Sequence, residues 1–476
     1  MRFSKTYKRI VLDSSFKNWQ KLSKYYMWLN KAHLLMLYKT GIVPKGICSE
    51  IAEGLRRIEN ERIEDELPEG IEDFVFLIEN KLSKIVGIEK AGFLHTARSR
   101  NDIDATVFRM CVRDALMGLS HHVIDALIAI VQKAKTNLNT ILLLYTHGQP
   151  AQVSTLAHFL LAFGFDVADT LDILVDCLSI VNTCPMGSCA ITTTGFPIDR
   201  VMVSDYLGFS EPIENSYRAI VTSHWVSLPS SCLKILMNDL TRFVQEIVPK
   251  SSCEVGIFQF PDDLVQVSSI MPQKRNPVVL EHIRLRAGTA HGIFDAVEKV
   301  FLNTPYQDIN ENGDHVLFEF LRAVRMAEEV LLLFREVVQR ISVDQERVKE
   351  LSRKTGATTT ELADELVRTF GISFRQAHTI VSQYVSSGMK YDVLCETFEK
   401  ICGRKLSLSE EQIERILSPE HFVEVRKVLG GPHERSVNEA IERLEGFVRS
   451  IKERTETLEI KTKNSLAKLE ADFRQL

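Results

Sequence analysis

Residues 103–136, IDATVFRMCVRDALMGLSHHVIDALIAIVQKAKT, contain no proline and one glycine. Val107, Met110, Cys111, Ala115, Leu119, Val123 and Leu127 recur there at the spacing of one helix face. The stretch predicts a helix roughly 50 Å long at about 1.5 Å per residue. Segments of the same character occupy 152–182, 225–249, 277–301 and 316–342. Long helices of this kind lie side by side in bundles or pack between subunits. Strand alternation is scarce, and there is neither an internal repeat nor a low-complexity tract. The expected fold class is therefore all-α.

Punctuation divides the chain into three regions: a helical N-terminal domain over 1–97, a central long-helix bundle over 98–350 and a small helical C-terminal domain over 351–476. The first is broken at Leu67-Pro68-Glu69-Gly70. The third opens near Lys354-Thr355-Gly356, turns at Gly430-Gly431-Pro432 and ends in a charged tail from Asn438. That tail predicts a solvated amphipathic helix, with a coiled-coil partner face as the alternative.

Composition narrows the class. Of 476 residues, 45% are hydrophobic and 25% charged, with 23 Gly and 14 Pro, which excludes a disordered or collagen-like chain. Lys and Arg number 58 against 63 Asp and Glu, a formal charge of −5 that leaves no basic footprint for nucleic acid. The basic N-terminus has no apolar stretch behind it to act as a secretory signal. The apolar window 153–165 is too short to span a membrane and contains His158. Nine scattered cysteines without a C-x-x-C pair argue for reduced thiols and against a zinc site. A soluble cytoplasmic protein is expected.

Three polar islands interrupt the helical pattern: HTARSRND (95–102), YTHGQPAQ (145–152) and SSIMPQKRNP (268–277). Each adjoins a long helix, where loops converge around sites. Singly, each has a structural explanation: Arg98 and Arg100 beside Asp102 read as a salt-bridged helix start, and His147 as a hydrogen-bonded structural residue. Together they supply guanidinium, ammonium, amide, hydroxyl and imidazole groups with few carboxylates. Such an inventory suits a polyanionic substrate and acid–base chemistry.

The three islands resemble the signature regions of the argininosuccinate lyase branch of the fumarase/aspartase superfamily. Lys31-Ala32-His33, 372–378 (ISFRQAH) and 430–442 (GGPHERSVNEAIE) echo the same pattern in the same order. The resemblance implies β-elimination from an N-substituted aspartate to release fumarate and an amine, or the reverse addition, with no metal, redox cofactor or nucleotide. It implies Ser268 as the base, Lys274 as a nearby cation, and His147 as a candidate for protonating the departing nitrogen. Ser99, Arg100, Asn101, Thr146, Gln149, Ser269, Asn276 and Tyr306 complete the implied substrate-binding set. It also implies a homotetramer whose active sites are shared between subunits.

Several positions depart from the family's pattern. Val267 stands where glycine usually precedes the serine pair, and a β-branched residue stiffens that loop. Residues 187–195 (GSCAITTTG) differ from the usual Gly-Ser-Gly-Ala run, and 215–226 (NSYRAIVTSHWV) has lost its acidic character. Tyr26 and Asn30 replace an Asp and a Ser. Glu311 and Asp314 occupy positions where a Gln and a Lys bind substrate, and an anion for a cation repels a substrate carboxylate. The elimination machinery is thus expected intact and the recognition of the amine changed. An ordinary argininosuccinate lyase and a non-catalytic homologue are the alternatives.

Overall fold

A computed structural model describes residues 3–61, 64 and 66–476. Its principal elements are α1 (Ser23–Lys39), α2 (Arg100–Lys135), the hairpin β1 (Ile141–Thr146) and β2 (Gln149–Thr155), and α3 (Leu156–Val181). They continue with α4 (His224–Ile247), α5 (Val278–Lys299), α6 (Asp314–Arg340) and α7 (Glu434–Arg474). The all-α expectation holds: helices dominate, and the strands form four two-stranded sheets among the described residues.

Helices α2 to α6 close into a ring: α2 packs on α3, α3 on α4, α4 on α5, α5 on α6, and α6 returns to α2. Their apolar faces fill one core. Phe163 of α3 meets Phe243 of α4 and Phe334 of α6 at ring-centroid distances of 4.5 and 5.3 Å, joining three helices near one end. Helix α2 is long and apolar enough to cross a membrane by length and composition, yet most of that apolar window is buried inside the chain. It also carries two fully buried guanidinium groups. Arg109 donates to the Ile180 carbonyl at 3.1 Å, and Arg113 to the Leu207 carbonyl at 3.0 Å.

Two local expectations change. The 152–182 segment is not all helix, because Gln149–Thr155 pairs antiparallel with Ile141–Thr146. The run Ile141-Leu142-Leu143 is buried throughout, so no period-two alternation marks it in the sequence. The tail helix α7 is not a free solvated element. Val437, Ile441, Leu444, Val448, Leu469 and Phe473 are buried in the main core, where α7 packs on α1, α2 and α3. Its far end is tied down by Lys31, whose buried ammonium reaches Glu470 at 2.7 Å and Glu59 at 2.8 Å. A second, smaller core is formed by Leu362, Leu366, Ile380, Leu394, Phe398 and Ile413.

Candidate active site

The first polar island builds the N-terminus of α2. Ser99 caps the helix, and Asp102 accepts the Ser99 backbone N–H at 2.8 Å, a capping box. The other Asp102 oxygen accepts the N–H groups of Gly187 and Cys189 at 3.0 and 2.9 Å. One buried carboxylate therefore joins the 95–102 loop to the 187–190 loop, where Asn101 donates to the Ala190 carbonyl at 3.2 Å. Burial pushes the Asp102 pKa up to about 6 against the pull of those donors. Beneath the loop, Arg98 is buried and donates to Asn30 Oδ1 at 2.6 Å. His33 contacts the Thr96 carbonyl at 2.9 Å, and burial draws its pKa down to about 3, so the ring is neutral. Arg98 and His33 thus shape this loop from below, whereas Arg100 faces outward.

Arg100 and Asn101 open onto a cavity of about 530 Å³. Its walls carry Glu72, Asp73, Asp104, Asp308, Glu311 and Asp314, with Arg100 the one cationic side chain among them. Arg100 is itself paired with Asp73 at 3.0 Å. Tyr26 donates its hydroxyl to Asp104 at 2.8 Å, and Trp19 its indole N–H to Asp314 at 2.7 Å. Burial, reinforced by the Asp73 and Asp314 charges, pushes the Asp104 pKa up to about 7. Burial likewise raises Asp73 and Asp308 above the usual carboxylate range. Tyr306 lies to one side, lining a smaller cavity of about 180 Å³ with Arg218, His224 and Asn312.

The other two islands lie at the opposite end of the bundle. His147 and Gly148 form the two-residue turn between β1 and β2, with φ of 52° and 74°. That left-handed pair is the hairpin turn whose twist matches its strands, and it leaves the imidazole exposed. Thr146 and Gln149 are the last strand pair before the turn. Ser268 sits in a small hairpin closed by pairing of Gln266 with Asn276 and Val267 with Arg275. Its hydroxyl oxygen accepts the backbone N–H groups of Ile270 and Met271 at 3.3 and 3.0 Å. Ser269 and Lys274 are exposed, and the Lys274 ammonium has no ion pair among the described residues. Val267, extended and ladder-paired, occupies backbone that a β-branched residue favours.

One chain therefore keeps its expected site residues in two groups. Ser99, Arg100, Asn101 and Tyr306 stand at the N-terminal end of α2. Thr146, His147, Gln149, Ser268, Ser269, Lys274 and Asn276 belong to loops at its C-terminal end, because β1 follows α2 directly and Phe258 pairs with Val343 just past α6. Thirty-six residues separate these ends, about 54 Å at about 1.5 Å per residue.

Comparison with known proteins agrees with this architecture. A family model described as "Lyase" matches residues 10–292, and one described as "Argininosuccinate lyase C-terminal" matches 356–424. The chain belongs to the argininosuccinate lyase branch of the fumarase/aspartase superfamily. Argininosuccinate lyase 2 of Agrobacterium fabrum is 39% identical over 423 residues, covering 87% of this chain and 84% of that protein. Argininosuccinate lyase of Methanothermobacter thermautotrophicus is 34% identical over 434 residues, covering 88% and 92%. Among solved structures, EDDS lyase in complex with formate superposes with a TM-score of 0.85 at 27% identity, covering 95% of this chain and 91% of that one.

Asp73, Asp104, Asp308 and Trp19 escaped the sequence reading. Asp104 carries a signal, since it lies one helical turn beyond Arg100 and so shares its face. The others come from distant segments and converge only in the fold.

Proposed function

We propose that this protein is a carbon–nitrogen lyase of the cytoplasm that releases fumarate and an amine from an N-substituted aspartate, or runs the reverse addition. The Ser268 loop carries the reading. Two backbone N–H groups aimed at one hydroxyl oxygen favour its alkoxide, which is what a serine needs to act as a base near neutral pH. That base takes a proton from the carbon next to the far carboxylate, and the electron pair moves into this carboxylate to give a dianionic aci-carboxylate. Its collapse forms the carbon–carbon double bond and breaks the C–N bond. The nitrogen leaves with the bonding pair and takes up a proton, for which His147 is the candidate donor.

Arg100, Asn101 and Ser99 hold a carboxylate at one end, while Lys274, Asn276, Ser269, Thr146 and Gln149 serve the succinyl group from the other. Groups about 54 Å apart in one chain meet only if different subunits contribute them, which supports a homotetramer with shared sites. Exposed Ile173, Ile235, Leu285 and Leu332 on the ring helices supply apolar surface for that association.

The relatives' names favour a second reading, with argininosuccinate itself as substrate. The deciding assay is fumarate release followed by ultraviolet absorbance, first from argininosuccinate and then from a panel of N-substituted aspartates. Turnover of any of them is expected to fall at least about a hundredfold in Ser268→Ala with melting temperature unchanged. Full activity in that variant overturns the mechanism. Silence of a folded tetramer toward the whole panel favours a non-catalytic homologue.

A further inference from the structure

We infer that the acidic cavity beside Arg100 seats the departing amine, and that this amine is a linear dication without a carboxylate, such as a diamine or a guanidinoalkylamine. The inference rests on the lyase reading above and specifies its substrate class as N-aminoalkyl or N-guanidinoalkyl aspartates.

Position comes first. The cavity begins at Arg100 and Asn101, which hold a substrate carboxylate in the reading above; with that carboxylate on the aspartyl half, whatever extends beyond them belongs to the amine. Charge comes second. Six carboxylates line the space against one guanidinium, and that guanidinium is already paired with Asp73. A carboxylate on the amine would meet Asp104 and Asp314 with no unpaired cation of the same chain beside it, whereas a second cationic centre would relieve their mutual repulsion. The walls come third. Trp19, Tyr26, Phe108 and Ile220 supply apolar surface for a methylene chain, and about 530 Å³ falls in the range of small-molecule sites.

The test runs the enzyme in the direction of addition. Wild-type protein receives fumarate with 1,4-diaminobutane or 4-aminobutylguanidine, and in parallel with ornithine or arginine, the same chains bearing a carboxylate. Loss of fumarate absorbance and the mass of the adduct are recorded. The expected result is kcat/KM at least about tenfold higher for the carboxylate-free amine of each pair, since unpaired like charges cost several kcal/mol at an interface. That preference should collapse in Asp314→Asn and Asp104→Asn. Equal or better use of arginine or ornithine overturns the inference and leaves the lyase reading standing. If no amine adds, calorimetric titration of Ser268→Ala with 1,4-diaminobutane decides separately. Binding that disappears in the Asp104→Asn background supports the amine seat whether or not the lyase reading stands, and absence of binding overturns the inference and leaves the lyase reading to the fumarate-release assay.

Discussion

Replacing Asp104 by asparagine should make the ligand-free protein more stable while harming its function. Asp104 begins the second turn of α2, accepts the Tyr26 hydroxyl at 2.8 Å, and shares the cavity with Asp73 and Asp314, with Arg100 held by Asp73. Burial with those like charges moves its pKa from 3.8 to about 7. The folded state thus binds this proton more tightly than the unfolded chain. Stability from this group is highest below about pH 4, declines as pH rises toward 7, and is level above that. At about 1.4 kcal/mol per pH unit the full span is about 4 kcal/mol, and water entering the cavity leaves about half of it.

Asparagine keeps an oxygen for Tyr26 and never ionises. At pH 8 the variant is therefore expected to gain about 2 kcal/mol, and at pH 4 almost nothing. A chain of this length has an unfolding entropy near 1 kcal/mol per kelvin, so the gain appears as about 2 °C. Calorimetric melts of both proteins at pH 5, 6.5 and 8 should show the variant's advantage widening with pH. An equal or lower midpoint at pH 8, or a difference that does not change with pH, refutes the electrostatic account of the cavity. A site held at such a cost is what a ligand of opposite charge would explain, since it replaces the missing countercharge.

Three further outcomes follow from the geometry. Arg100→Ala and Ser268→Ala should each be inactive alone. Assembled one to one they should recover up to about a quarter of parental fumarate release, the chance that a site draws both intact loops from different chains of a symmetric oligomer; no recovery would place both loops in one subunit. Cys189 holds φ of 52° and its thiol donates to the Ala97 carbonyl at 3.2 Å. Cys189→Gly should stay within about 1 kcal/mol of parental stability in urea unfolding, while β-branched Cys189→Val should lose about 1–2 kcal/mol. Arg113 is wholly buried with partners at Asn182, Leu207 and Asp114, so Arg113→Met should cost about 3–5 kcal/mol by the same measurement.

The long helices were legible in the sequence because their apolar positions repeat locally, and the five segments fall within a few residues of α2 to α6. The β1–β2 hairpin was not, because a run buried on both faces hides its period. The burial of the tail helix is hidden in the sequence for a different reason. A helix with one narrow apolar stripe looks alike whether that stripe meets another chain or, as here, returns across some 300 residues to α1, α2 and α3. Motif residues such as Ser268 and Arg100 were visible through their local patterns. The acidic cavity was not, because Asp73, Asp104 and Asp314 become neighbours only through the fold.

That convergence also bears on whether the altered positions are decay or design. Asp314, read from the sequence as a departure from the family's pattern, receives the Trp19 indole N–H, and Tyr26, read in the same way, donates to Asp104. Asn30, in place of a serine, accepts from Arg98 beneath the first loop. Cys189, in the altered 187–195 run, keeps the left-handed turn whose backbone N–H binds Asp102. Loss of function scatters substitutions without regard to partners and leaves polar groups unmatched. Here Asp314, Tyr26, Asn30 and Cys189 each have a hydrogen-bond partner, and the carboxylates around them still repel. Stability alone gives no reason for such a cluster; its presence around Arg100 is what a cationic ligand would explain.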